Sequence, residues 1–379
     1  VSSYTFAAGA AGLVASSIVD RFARRSPFMV LYAGFLIGTL LCAVAPTYYT
    51  LVAARVATGA FGGVLGGMAM TIVGDVFPEH RRGRATGSLM TGFALASVAG
   101  VPFGLFLGTN YGWQVPFVAL VIGGTPALLL MRFALPPLND HVGKQHAHPL
   151  RSLAETFSHS NHLNAFALII ALAVGSFTVF PYLSTYLVAN VGMTEQQLPL
   201  IYIVGGALTL VAAPVIGRLA DRFGKLNVYR IIAPISAVLL FGITHLPPVP
   251  ATVAVLVFGA LMVANVGRMI AAMAMITSSV APSRRGGFLS ANSSVQHIAS
   301  GFGAYLGGII LTEGEHGRLE HFGLVGWIAA ASTLVSLWLA GRVRGAAEGV
   351  VSAEQISLAA AAEATVDAGE PIINTVDDR

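Results

Sequence analysis

Apolar residues run through this chain in long blocks, each ended by a cluster of charge or by Pro and Gly, with no regular alternation between polar and apolar positions. Windows between those breaks place spans near 1–19, 28–45, 51–77, 85–108, 114–135, 162–189, 197–217, 228–245, 251–280, 287–311 and 322–341. Blocks of this length suit helices of about 20 residues, enough to cross about 30 Å of hydrocarbon. They lack the period-two alternation of a membrane barrel. The pattern predicts an all-α integral membrane protein.

Composition supports the same reading. The chain is 55% hydrophobic and 10% charged, where a soluble domain carries about 25% charge. A water-facing surface cannot be built from that inventory, so the solvent must be lipid. The 43 glycines suit close helix packing there. The single cysteine, Cys42, excludes an internal disulfide and lies inside an apolar block, as a structural thiol would.

A net charge of +4 raises the question of nucleic acid, but the distribution of the charge gives another answer. Of the 21 Lys and Arg, 18 lie at alternate breaks, at 21–25, 81–84, 132–151, 218–230, 284–285 and from 342 onward. The opposite breaks hold Arg318 beside Glu195, Glu313, Glu315 and Glu320. Loops rich in Lys and Arg stay cytoplasmic. The expected protein is therefore multi-pass in the inner (plasma) membrane, with a cytoplasmic C-terminus and no nucleic-acid partner. Tyr48, Tyr49, Tyr111 and Trp113 then fall at outer ends, where amphipathic rings favour the interface.

Three phrases recur in order at nearly one interval. "SSIVDRFARR" and "IGRLADRFGK" share Asp-Arg-Phe at Asp20 and Asp221, 201 residues apart. "MAMTIVGDVFPEHRRGR" answers "MAMITSSVAPSRRGG", and "SVAGVPFGLFLG" (97–108) answers "IASGFGAYLGG" (298–308). The reading is two similar halves of parallel topology: an N-terminal bundle over 1–135 and a C-terminal bundle over 162–341. A polar cytoplasmic loop over 136–161 joins them, and an Ala-rich acidic tail over 342–379 has the composition of a disordered extension. The second half has six spans and the first has five. The expectation is one further helix before residue 1 and twelve spans in all.

These phrases resemble the major facilitator superfamily, and within it the drug:proton antiporter and sugar-efflux branch. The family's loop phrase, G-x-L-A-D-R-x-G-R-R, is kept in the first copy at Asp20, Arg21, Arg24 and Arg25, with Ser16 and Ala23 in place of glycines. The second copy keeps Gly217, Leu219, Ala220, Asp221, Arg222, Gly224 and Lys225. "RVATGAFGG" supplies Arg55 and Gly59, and "GVPFGLFLG" resembles the antiporter glycine-proline motif through Gly100, Pro102, Gly104 and Gly108. The resemblance implies two pseudo-symmetric six-helix bundles around a central cavity, working by alternating access. It also implies a gating switch at Asp20, with Arg81 or Arg82 as partner and Asp221 as its counterpart. An aspartate at a helix end can pair with Arg or sit at a helix N-terminus in one conformation and lose that contact in the other. The plainer reading is that these charges only set topology, to which acids contribute little.

Charge within the spans is scarce, and at mid-bilayer it costs roughly 2.5–3.5 kcal/mol. No acid falls deep in any span; Asp75 comes closest, near a cytoplasmic end. Arg55 either snorkels to the outer interface or joins a proton relay. Arg268, with Asn265 on the same helical face, reads as a cavity-facing group for anion attraction or substrate contact, ahead of an interhelical bond. Asn292 and Gln296 share a helical stripe, and His297 on a neighbouring one either titrates near neutral pH or bonds across helices. Pro181 breaks its helix beside Tyr182 and Tyr186, which are cavity candidates. The histidines around the central loop lack ligand spacing, so no metal is expected.

The sequence-level expectation is a monomeric secondary transporter, not an enzyme, with no cofactor and a proton gradient as its energy source. It would move a small organic molecule outward across the bilayer. The rivals are an importer or facilitator of a sugar or organic anion, and a transporter-like sensor without flux.

Overall fold

The computed structural model describes residues 1–18, 25–76, 92, 95–134, 157–280, 285–314 and 317–346. In lipid a backbone must satisfy its own hydrogen bonds, and helices do so within one segment. The long elements described are all helical: α1 (Ser2–Ile18), α2 (Arg25–Ala43), α3 (Tyr48–Val76), a π-helical turn (Ala96–Gly100) running into α4 (Val101–Tyr111), and α5 (Val115–Ala134). Then follow α6 (Ser160–Phe177), α7 (Phe180–Ala189), α8 (Leu198–Phe223), α9 (Lys225–Thr244), α10 (Ala251–Ser278) and α11 (Arg285–Ile310). A small antiparallel hairpin, β1 (Thr312–Glu313) with β2 (Leu319–Glu320), precedes α12 (Phe322–Ala340).

Eight spans among the described residues are long and apolar enough to cross a membrane. The chain is an all-α membrane protein, as its sequence pattern predicts. Of the eleven expected spans, those represented by α1, α4 and α11 fall outside the eight. The first, and the second through its π turn, border residues outside the described ones, with 17 and 11 residues of α-helix described, while Ser, Asn, Gln and His dilute the third.

The expected span 162–189 is two helices in the structure. Thr178 and Val179 form a turn between α6 and α7, and Pro181 occupies the first turn of α7, where its missing N–H costs nothing. Gly224, at φ +90°, turns the chain sharply from α8 into α9, a conformation that suits glycine because it has no Cβ.

α3 packs on both α1 and α2, α2 also packs on α5, and α4 touches α5. In the second half α6 packs between α11 and α12, α12 on α9, and α10 between α8 and α9. The main contacts between these two sets are α1 with α11, and α4 and the π turn with α8. The repeat interval carries α1 onto α8 and α4 onto α11, so each contact is the other's image.

Two large buried clusters, beside a smaller one at Ile216, Ala220 and Val228, lie in the second half. Phe166, Tyr229, Met275, Phe288 and Leu339 belong to one, toward the Arg-rich ends; Leu183, Tyr186, Ile201, Phe258 and Phe322 belong to the other. Large apolar side chains such as Ile122, Leu130, Val211, Val238 and Trp327 point outward, as lipid contact requires. Because lipid is as apolar as leucine, helix contact there depends on close packing of small residues. At Gly59 and Gly63 of α3, an added Cβ would strike the backbone of Tyr4 and Ala8 in α1.

Candidate functional site

Arg268 is fully enclosed, at 0% exposure. At 1.5 Å per residue, about 15 Å of helix separates it from Ser278 and about 25 Å from Ala251, which puts the guanidinium near mid-membrane. Its Nη1 donates to Thr333 Oγ1 of α12 at 2.5 Å. Its Nη2 donates to Ser176 Oγ of α6 at 2.9 Å and to Asn265 Oδ1, one turn away on α10, at 2.8 Å.

The acceptors are themselves held in place. The Ser176 hydroxyl donates to Asn265 Oδ1 at 2.9 Å, and the Thr333 hydroxyl to Ala329 O at 2.8 Å. Each hydroxyl thus spends its hydrogen elsewhere and offers a lone pair to the cation. Arg268 Nε has no hydrogen-bond partner among the described residues. Nearby, Tyr229 and Ser336 share a hydrogen bond at 2.5 Å. Asn265 is half-buried, and it is the member of the network that reaches the surface of the packed helices. The sequence favours a cavity-facing Arg268; in the structure the side chain bridges three helices and only Asn265 leads outward.

The α11 stripe is also in place. Asn292 is buried and its Oδ1 lacks a partner among the described residues, while Gln296 and His297 are half-buried. This helix lies between α1 and the α6–α7 break. Cβ atoms on Gly9 and Gly12 would strike Ile298 and Ser294, and one on Gly303 would sit 3.0 Å from Val174 O.

The two tyrosines expected at a cavity are engaged elsewhere. Tyr182 donates its hydroxyl to Ala304 O, joining α7 to α11. Tyr186 is buried, donates to Leu246 O at 3.0 Å and stacks on Phe322 with ring centroids 4.4 Å apart. Both act as posts between helices. Arg55 lies over the Tyr4 ring, 4.6 Å from its centroid, which ties α3 to α1.

Of the gating residues, Asp20, Arg21, Arg24, Arg81 and Arg82 lie outside the described residues, as does the side chain of Asp75. Asp221 and Arg222 are exposed at the end of α8, with the Arg222 guanidinium over the Phe223 ring. Among the described residues nothing lies within 4 Å of where a Cβ on Gly217 or Gly104 would sit. Gly100 and Gly108 would meet only ordinary contacts at 3.8 and 3.6 Å. Pro102 is buried in the first turn of α4. The close approach to this helix comes from the other side, where a Cβ on Gly206 of α8 would lie 3.0 Å from Val98 Cα.

Ser176 and Thr333 are the site residues that the sequence does not reveal. Each is one hydroxyl in an apolar helix, far in sequence from the arginine that it serves. Among the described residues no group of three His, Cys, Asp or Glu is placed to hold a metal.

Comparison with known proteins agrees with this architecture. A family model described as Major Facilitator Superfamily matches residues 1–270. The chain is 26% identical over 312 residues to the MFS-type transporter YtbD of Bacillus subtilis, an alignment covering 82% of this chain and 78% of that one. It is 24% identical over 344 residues to the MFS-type transporter YceJ of the same organism, covering 89% and 85%. To the inner membrane transport protein YdhP of Escherichia coli it is 26% identical over 223 residues, covering 59% and 56%.

Proposed function

The chain belongs to the major facilitator superfamily, and from that premise we propose that it is a proton-coupled exporter of a small organic molecule, working by alternating access. It is a membrane transporter and not an enzyme. The observation that carries the mechanism is the paired junction between the halves. α1 meets α11 and α4 meets α8, each contact the image of the other under the repeat. Two equivalent crossings let one half rock on the other without unpacking either, which is what a two-state transporter needs.

The export branch rests on the loop phrases around Asp20 and Asp221 and on the Gly100–Gly108 motif. His297, half-buried on the helix that forms one junction, is the proposed titrating group among the described spans. The inner-membrane location, with Arg-rich loops cytoplasmic, is supported by the charge asymmetry and by the name of the Escherichia coli relative. A monomer is the proposed unit.

Uptake by inside-out vesicles with an acid interior tests the reading, using a radiolabelled panel of drugs, sugars and organic acids. Accumulation that an uncoupler abolishes is the expected result. Accumulation indifferent to the uncoupler would rule out proton coupling.

A further inference from the structure

We propose that Arg268 is the anion-recognition element of the transport site, and that the molecule carried is a small organic acid in its anionic form. This rests on the transporter reading above and names its substrate class.

The first argument is charge. Burying an ion costs several kcal/mol even after relaxation, and proteins ordinarily meet that cost with an opposite charge. In the described α-helices acids stand at Asp75 and Asp221, each within a few residues of an Arg-rich end. Arg268 sits about 15 Å of helix away from the Arg-rich end of α10. Its partners Ser176, Asn265 and Thr333 are all neutral. The same depth keeps lipid headgroups out of reach.

The second argument is unspent capacity. A guanidinium presents a planar fork of donors that matches a carboxylate, sulfonate or phosphate monoester. Nε has no partner among the described residues, although Arg268 is entirely buried. Nη2 is shared between two weak acceptors.

The third argument is access. Asn265 is half-buried where the rest of the network is buried, and its Oδ1 holds both Arg268 and Ser176. Turning that amide aside replaces a neutral acceptor with an oxyanion at Nη2. Ser176 also stands two residues before the turn at Thr178–Val179, so the helix that carries it is interrupted beside the network. A mere packing staple at this point would be served as well by an apolar side chain of similar volume.

The test uses the full chain, purified in detergent, with thermal unfolding read at constant ionic strength. The probes are aliphatic and aromatic carboxylates, sulfonates and phosphate monoesters, each beside its neutral amide or alcohol and its amine. Wild type is expected to be stabilised by members of the anionic set alone. Arg268→Met, which keeps most of the apolar volume, should raise the anion Kd about tenfold or more, the loss typical of one charge-assisted hydrogen bond. Arg268→Lys keeps the charge without the fork and should weaken binding severalfold, which preserves the test if the Met variant does not fold. Preferential stabilisation by neutral or cationic probes, no response to any anion, or unchanged anion affinity in these variants overturns the proposal. Vesicle flux separates it from the parent reading. Neutral or cationic compounds carried equally by wild type and Arg268→Met leave a transporter and remove the anion site. Anion binding without flux in wild type removes transport and leaves the anion site standing.

Discussion

Thr5 of α1 and Gly301 of α11 meet so closely that a Cβ on the glycine would lie 2.8 Å from the threonine Oγ1. Adding the 201-residue interval to Thr5 leads to Gly206 of α8, where a Cβ would lie 3.0 Å from Val98 Cα. The same interval carries Gly100 onto Gly301, so Val98 stands two residues from the expected counterpart. One crossing is built twice, with the glycine on α11 in the first copy and on α8 in the second.

Gly301→Leu and Gly206→Leu should each force the halves apart locally, at about 1–3 kcal/mol for an overpacked contact. That is roughly five- to hundredfold in the balance between two conformations. Transport measured at matched membrane abundance should fall by a factor in that range for both variants. Normal flux from both would show that these crossings are not moving surfaces.

Gly59→Ala and Gly104→Ala should differ sharply. A Cβ at Gly59 strikes the Tyr4 backbone, which cannot swing aside, whereas one at Gly104 meets no atom of the described residues within 4 Å. Thermal unfolding in detergent should show a loss of about 1–3 kcal/mol for the first and little change for the second. An equal loss from both would place a packed partner at Gly104.

Tyr186→Phe removes the hydroxyl bonded to Leu246 O and leaves the stack on Phe322 intact. The cost should be about 0.5–1.5 kcal/mol, with substrate selectivity unchanged. Asn190→Ala should cost more, because Asn190 exchanges two hydrogen bonds of 2.9 Å with Leu319 and so clamps the hairpin. A selectivity change in Tyr186→Phe, scored on the vesicle panel, would return that residue to the cavity.

Asp20→Asn and Asp221→Asn address the repeated loop phrase. If these carboxylates bias the conformational equilibrium, each variant should transport more slowly while reaching normal abundance, and the pair should not be additive. Wild-type turnover in both would leave the phrase with topology alone.

How much of this was legible beforehand depended on the range of the interaction concerned. The spans and the halves come from block length and repeated phrases, and the structure places helices over nearly all of them. Pro181 signals the break at Thr178–Val179, but the apolar pattern continues unchanged across it and predicts one span. The sequence points Tyr182 and Tyr186 to a cavity because aromatic hydroxyls beside a broken helix commonly line one. Their acceptors, Ala304 O and Leu246 O, are backbone atoms of distant segments and leave no trace in a residue pattern.

The sequence by itself determined the solvent, the helical class, the repeated phrases and the scarcity of charge within the spans. Each follows from composition or from local periodicity, which act over a few turns of helix. Tertiary structure alone decided that Arg268 is enclosed by Ser176 and Thr333, that Gly206 rather than Gly104 makes the tight crossing, and that Asn265 leads outward. Those outcomes depend on how helices rotate about their axes against one another. In lipid, small residues and single hydroxyls set that rotation, and many positions along an apolar helix could supply them equally well.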